Sequence, residues 1–125
     1  MFRKTANTGV YKDLAEPMQL RNVEKVAKDA GIGLDGVQIK IVRDPELIGK
    51  GLCGYASPDG KVIQLYPDGF TDTETLVKTL GHERMHIYQT RVLGPATDTE
   101  TLNLYEKGAW GSEDSWWQYY NRGGK

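Results

Sequence analysis

The stretch Thr71-Asp72-Thr73-Glu74-Thr75-Leu76-Val77-Lys78-Thr79-Leu80-Gly81-His82-Glu83-Arg84-Met85-His86-Ile87-Tyr88-Gln89 decides how this chain is read. It opens with Thr71-x-x-Glu74, the pattern of a helix capping box, and the next proline is Pro95. Leu76, Val77, Leu80, Ile87 and Tyr88 keep helical spacing, so the spacing predicts one helix through the whole stretch. The chain has 2 histidines, and both lie on this helix, four residues apart. Residues so spaced share a face one turn apart, so both imidazoles can reach a single ion. Glu83, beside the first histidine, is placed to work on a water held by that ion. Gly81 is a weak helix former there, and it permits close approach of another element.

Two histidines do not complete a site: a catalytic zinc keeps three protein ligands and a water. A second capping pattern, Thr97-Asp98-Thr99-Glu100, opens another helix that carries Glu106. Glu106-Lys107-Gly108-Ala109 puts small residues within a turn of that carboxylate, which would let the two helices pack closely. Glu113 is the rival third ligand, with Asp114 beside it. Glu113 lies on the same face as Glu106 but two turns, roughly 10 Å, farther along. A straight helix cannot bring both carboxylates to one ion, so the unused acid is expected to orient a histidine through its second ring nitrogen.

On these residues, from Thr71 to about Tyr120, the chain resembles the gluzincin class of zinc metallopeptidases. The resemblance implies Zn2+ bound by His82, His86 and Glu106, with Glu83 as the catalytic general base. Asn103, three residues before Glu106, departs from the pattern of the thermolysin-like branch, where that pair is Asn-Glu. The Gly81–Gln89 run, with Glu106-x-x-Ala109 and Glu113-Asp114-x-x-Trp117, also resembles the metallopeptidase-type domains at the C-terminal ends of bacterial polymorphic toxins. That likeness implies a toxin domain secreted as part of a larger protein, with an immunity protein as partner.

The rest of the chain sets the frame. Its 125 residues fit a single domain, 1–125, with 12 aromatics supplying much of the buried area. The 16 basic and 17 acidic residues are interspersed, and without a basic stripe nucleic acid is not expected as a partner. No apolar run reaches the ~20 residues of a membrane span, and Met1–Asn7 lacks the apolar core of a signal peptide. Residues 1–10 read as a flexible arm. Pro17 opens a short helix with Leu20, Val23, Val26, Ala27 and Ala30 on its apolar face, stopped at Gly31. Val37–Ile41 alternates as a strand, and Asp44-Pro45 breaks it. Leu52–Ala56 and Lys61–Tyr66 read as strands joined at Ser57-Pro58-Asp59-Gly60. The single cysteine, Cys53, excludes an internal disulfide and reads as a small buried hydrophobe.

This order predicts an α+β, zincin-like domain: an N-terminal helix, a twisted antiparallel-rich sheet, the His-Glu-x-x-His helix and a C-terminal ligand helix. Lys61–Tyr66 is the expected edge strand, open to pairing with an extended peptide. Gly108 and Gly111 are expected to bend the last helix. Candidates to stabilise an oxyanion are Tyr88, Tyr105, Tyr119, Tyr120 and Arg91. Arg84 is expected to face solvent or pair with an acid. Trp110, Trp116, Trp117, Tyr119 and Tyr120 read as a core over the motif helix, or as a platform for substrate. The leading expectation is a zinc-dependent peptidase acting on a peptide or protein substrate. The alternatives are a non-catalytic metal-binding module for protein interaction and a zinc hydrolase of non-peptide amides or esters.

Overall fold

Ile63 and Leu65 alternate with Val62 and Gln64, and only the first pair is fully buried, so the strand that carries them has one face on the core. In the computed structural model, which describes residues 7–94 and 96–122, that core is closed by helices. The elements are α1 (Leu20–Asp29), β1 (Gln38–Ile41), β2 (Gly54–Ala56), β3 (Val62–Leu65), α2 (Thr73–Leu93) and α3 (Thr99–Asn121), with short 3-10 turns between them. The fold is α+β. Val23, Val26 and Ala27 of α1 pack with Ile63, Leu65, Phe70, Leu76, Val77, Leu80 and Ile87 in one hydrophobic cluster.

The sheet is mixed instead of antiparallel-rich. Its order is β1-β3-β2, with β1 parallel to β3 (Ile39 opposite Ile63) and β2 antiparallel to it (Tyr55 opposite Gln64). The Lys61–Tyr66 segment is therefore the central strand, and β2 is the edge beside α2. Alternation reports which face of a strand is buried; it carries no information about lateral neighbours. The Val42–Cys53 connection returns the chain so that both flanks of β3 are taken.

Several boundaries move for local reasons. The helix caps are Asp72 and Asp98, whose carboxylates accept from Thr75 N–H and Thr101 N–H at 2.7 Å, so each helix starts one residue later than a Thr71 or Thr97 cap implies. Helix α1 begins at Leu20, past Pro17, and Leu20 is exposed. Of the expected arm, residues 1–6 and also Pro95 lie outside the described residues. Asn7 is tied down: its amide donates to the Leu14 and Glu16 carbonyls and its oxygen accepts from Met18 N–H. Helix α3 runs through Gly108 and Gly111 without a break.

Helix α2 is central, with side chains buried on every flank: Leu76, Val77 and Leu80 against the core, and Thr79, His82, Glu83 and Gln89 toward β2 and α3. Its contacts with α3 run antiparallel, from Lys78 near Asp114, through His82 on Glu113 and His86 on Glu106, to Gln89 on Tyr105. Gly81 is the closest approach: a Cβ there would lie 2.0 Å from Trp116 Cδ1. The missing side chain is what lets α3 sit near enough for its acids to reach the two histidines.

Candidate metal centre

Spacing along α2 aims His82 and His86 at the same point, and their Nε2 atoms lie 3.2 Å apart. Glu106 of α3 meets them there, Oε1 at 2.6 Å from His86 Nε2 and Oε2 at 3.6 Å from His82 Nε2. These three residues form the group whose ligand atoms all fall within 4.8 Å of one another. Two ligand atoms on a tetrahedral zinc, each at about 2.0–2.1 Å, stand roughly 3.3 Å apart. The nitrogen pair matches that edge, and the two carboxylate distances bracket it.

The outer nitrogens strengthen the fit. His82 Nδ1 lies 2.8 Å from Glu113 Oε2, and His86 Nδ1 lies 3.1 Å from Gln89 Oε1. A carboxylate accepts and does not donate, so it holds the proton on His82 Nδ1 and turns the lone pair on Nε2 inward. The donor set is thus imidazole, imidazole and carboxylate, all acceptors turned toward one point. With the inner nitrogens unprotonated, these acceptors would repel unless a cation lay between them, and borderline-soft nitrogen donors with one carboxylate suit zinc. Glu113 stands beside a histidine, one layer behind the Glu106 position, and Asp114 is exposed and 3.3 Å from Lys78 Nζ.

Glu83, beside His82, faces β2 across the groove that the two residues share. It is buried, and burial pushes its carboxyl up to about 7, with Glu106 and Glu113 adding to the rise and His82 and the Ala56 backbone N–H opposing it. Gly54 leaves room for it: a Cβ at Gly54 would meet Thr79 Cγ2 at 2.7 Å and Glu83 Cγ at 3.2 Å. A carboxyl raised from 4.5 binds its proton more tightly in the folded chain than in the unfolded one. Metal-free protein therefore loses stability as pH rises from about 4.5 through 7, by about 3 kcal/mol for this group. Glu83→Gln in the metal-free protein is expected to raise the Tm over wild type at pH 8 and to leave it nearly unchanged at pH 4.5. Equal melting shifts at both pH values would contradict the burial argument.

Two hollows meet at His82, Glu83 and Gly54, forming one groove between the β2 edge and α3. The first, about 360 Å3, is bordered by Leu52, Cys53, Thr79 and Trp110. The second, about 460 Å3, is bordered by Tyr55, Pro58, Leu102 and Tyr105. The Trp110 ring stands edge-on to His82, centroids 5.0 Å apart, and the residue is 63% exposed. The aromatic run is therefore split: Trp116, Trp117 and Tyr120 cover the core, with Trp117 stacked on Tyr120, while Trp110 belongs to the groove.

The expected oxyanion candidates separate in the same way. Arg91 is spent on the Gly60 and Gly36 carbonyls, Tyr119 packs over Gly31, and Tyr120 is in the stack. Tyr88 borders a different hollow with Arg84, Met85 and Trp116. Tyr105 alone of the five borders the groove, and its hydroxyl donates to the Gly94 carbonyl. Arg84 is partly exposed and, among the described residues, pairs with no acid; its Nε donates to the Gly33 carbonyl at 2.8 Å. Cys53 is half-buried, and burial pushes its thiol up, which keeps it a protonated wall residue. Sequence reading had Trp110 only within an aromatic run, as core or as substrate platform, and it missed Tyr55 and Gln89. For Gln89 a signal existed: it follows His86 by three residues, on the ligand face of α2.

The molecule is thus a small α+β domain with two histidines and a carboxylate converging beneath a groove. No protein-family model matches the chain, and no curated protein or solved structure matches it. Among the described residues no helix is long and apolar enough to cross a membrane.

Proposed function

We propose that this domain is a zinc-dependent hydrolase of peptide bonds, with His82, His86 and Glu106 as the metal ligands and Glu83 as the general base. The single observation that carries this reading is the convergence of three acceptor atoms within 4.8 Å, beside a buried carboxylate that is not one of them. Zinc bound there would polarise a carbonyl and lower the pKa of a bound water from 15.7 towards ~7. Glu83 would accept a proton from an attacking water and pass it to the leaving amine. Glu113 holds the His82 ring in register.

The groove favours an extended chain as substrate. On β2, Cys53 C=O accepts from Tyr66 N–H and Ser57 N–H donates to Val62 C=O, so the alternation leaves the polar groups of Gly54 and the Ala56 carbonyl on the open side, with the Ala56 N–H turned to Glu83. An extended peptide could pair with that edge, its side chains entering the hollows beside Leu52 and Trp110 or beside Tyr55 and Leu102. A proteinaceous inhibitor, such as the immunity partner of a toxin domain, would be expected to cover the same groove.

Two measurements test the reading. Metal analysis should find one zinc per chain, and Glu106→Ala should weaken zinc retention more than Glu113→Ala, whose loss should fall in the ~10–100-fold range of an outer hydrogen-bond partner. The reverse order would make Glu113 the ligand. Peptide-library cleavage by zinc-loaded protein, with a chelated control, should show products only with metal. Stoichiometric zinc without cleavage would favour the non-catalytic module, and cleavage of esters or non-peptide amides alone would change the substrate class.

A further inference from the structure

Gln89 is buried, polar and charged with no role by the ligand assignment, yet it touches both halves of the centre. Its Nε2 lies 2.9 Å from the Tyr105 carbonyl, and its Oε1 lies 3.1 Å from His86 Nδ1. The direction of this chain of bonds follows from chemistry alone. A backbone carbonyl can only accept, so the amide end facing Tyr105 is the NH2 group. The opposite end is then the oxygen, which can only accept, so His86 Nδ1 carries the proton. His86 is left with its lone pair on Nε2, the atom that faces His82 and Glu106.

The same amide reaches the ligand helix at the residue immediately before Glu106. Gly108 makes the room: a Cβ there would stand 3.0 Å from Gln89 Nε2, tighter than ordinary contact. The glycine expected to bend α3 instead clears a slot for this side chain.

We propose that Gln89 is a positioning residue of the metal centre, fixing the tautomer of His86 and tying that ring to the α3 backbone that presents Glu106. The proposal rests on the metal reading above. A helix-to-helix strap with no bearing on the ion is the rival, and it predicts a loss of stability only.

The test uses zinc competition with a chromophoric chelator on the full chain, together with 15N NMR of the His86 ring in zinc-loaded protein, where the proton is confined to Nδ1. Gln89→Leu is expected to weaken zinc binding by about 10–100-fold, and to speed exchange of the His86 Nδ1 proton with solvent. Gln89→Glu keeps an acceptor toward Nδ1 but loses the donor to Tyr105. It is expected to keep the His86 Nδ1 proton slow to exchange and to recover zinc affinity over Gln89→Leu, even though its melting temperature falls. If Gln89→Leu does not fold, the Gln89→Glu pattern decides the matter alone. Zinc affinity and ring signals unchanged in the folded variants, with only the melting temperature lowered, would overturn the proposal. Wild-type protein that binds no zinc would overturn the metal reading itself, and this proposal with it, so the two failures are separable.

Discussion

Glu83→Gln is expected to leave one zinc per chain and to lower zinc-dependent peptide hydrolysis by about 10²–10⁴-fold, the contribution of a positioned acid–base group. The two effects separate because Glu83 is not among the three converging ligand residues and lies on the β2 side of α2. Glutamine matches glutamate in shape, so the buried space between Gly54 and Thr79 stays filled. What the amide lacks is a lone pair basic enough to take a proton from water. Metal content, stability at neutral pH and turnover should be measured on one preparation. Full activity in this variant would remove Glu83 as the base, and loss of zinc would mean that the carboxylate helps to hold the ion.

Gly81→Ala carries the largest expected effect on the fold. Its new Cβ would fall 2.0 Å from Trp116 Cδ1 and 2.6 Å from Cγ and Nε1, far inside contact distance. Alanine improves local helix propensity by at most about 1 kcal/mol. Overpacking of a fitted site costs about 1–3 kcal/mol, occasionally more, and here the clash is with a ring wedged between α2 and the core, so the loss should win. A Tm lower by about 5–10 °C is expected. Trp116 Nε1 has no hydrogen-bond partner among the described residues, so packing alone places the ring. Trp116→Leu should therefore recover part of the loss in the double variant, with a coupling above about 0.5 kcal/mol. Because Gly81 precedes His82, zinc affinity should fall alongside stability in the single variant. A Gly81→Ala protein with wild-type stability and zinc affinity would show that the α2–α3 spacing does not depend on this contact.

The helical elements were legible because each is governed by residues close in sequence. Asp72 and Asp98 bond to amides three residues on, and Gly94, with φ +89°, ends α2 where alanine would be strained. The pairing of His82 with His86 needs only the pitch of one helix. The sheet was less legible, since β1 beside β3 depends on a return loop that no alternation encodes. The clamp on that loop, Asp68 accepting from Gly49 and Gly51 N–H, joins residues 17 to 19 apart. Gly108 read as a bend because a glycine in a helix lowers propensity; that it clears space for Gln89 is visible only with α2 in place.

Residues near one another in the chain were enough to place two imidazoles one turn apart, a carboxylate beside them, and the helices that carry the acids, since turns and caps are short-range physics. The tertiary structure decided which acid lies at the rings' inner nitrogens and which lies behind one of them. Glu106 and Glu113 share a face of α3, and their order relative to His86 and His82 follows from the antiparallel register with α2. That register is set by packing at Gly81 and Trp116, residues 35 positions apart in the chain, and no local pattern in either helix specifies it.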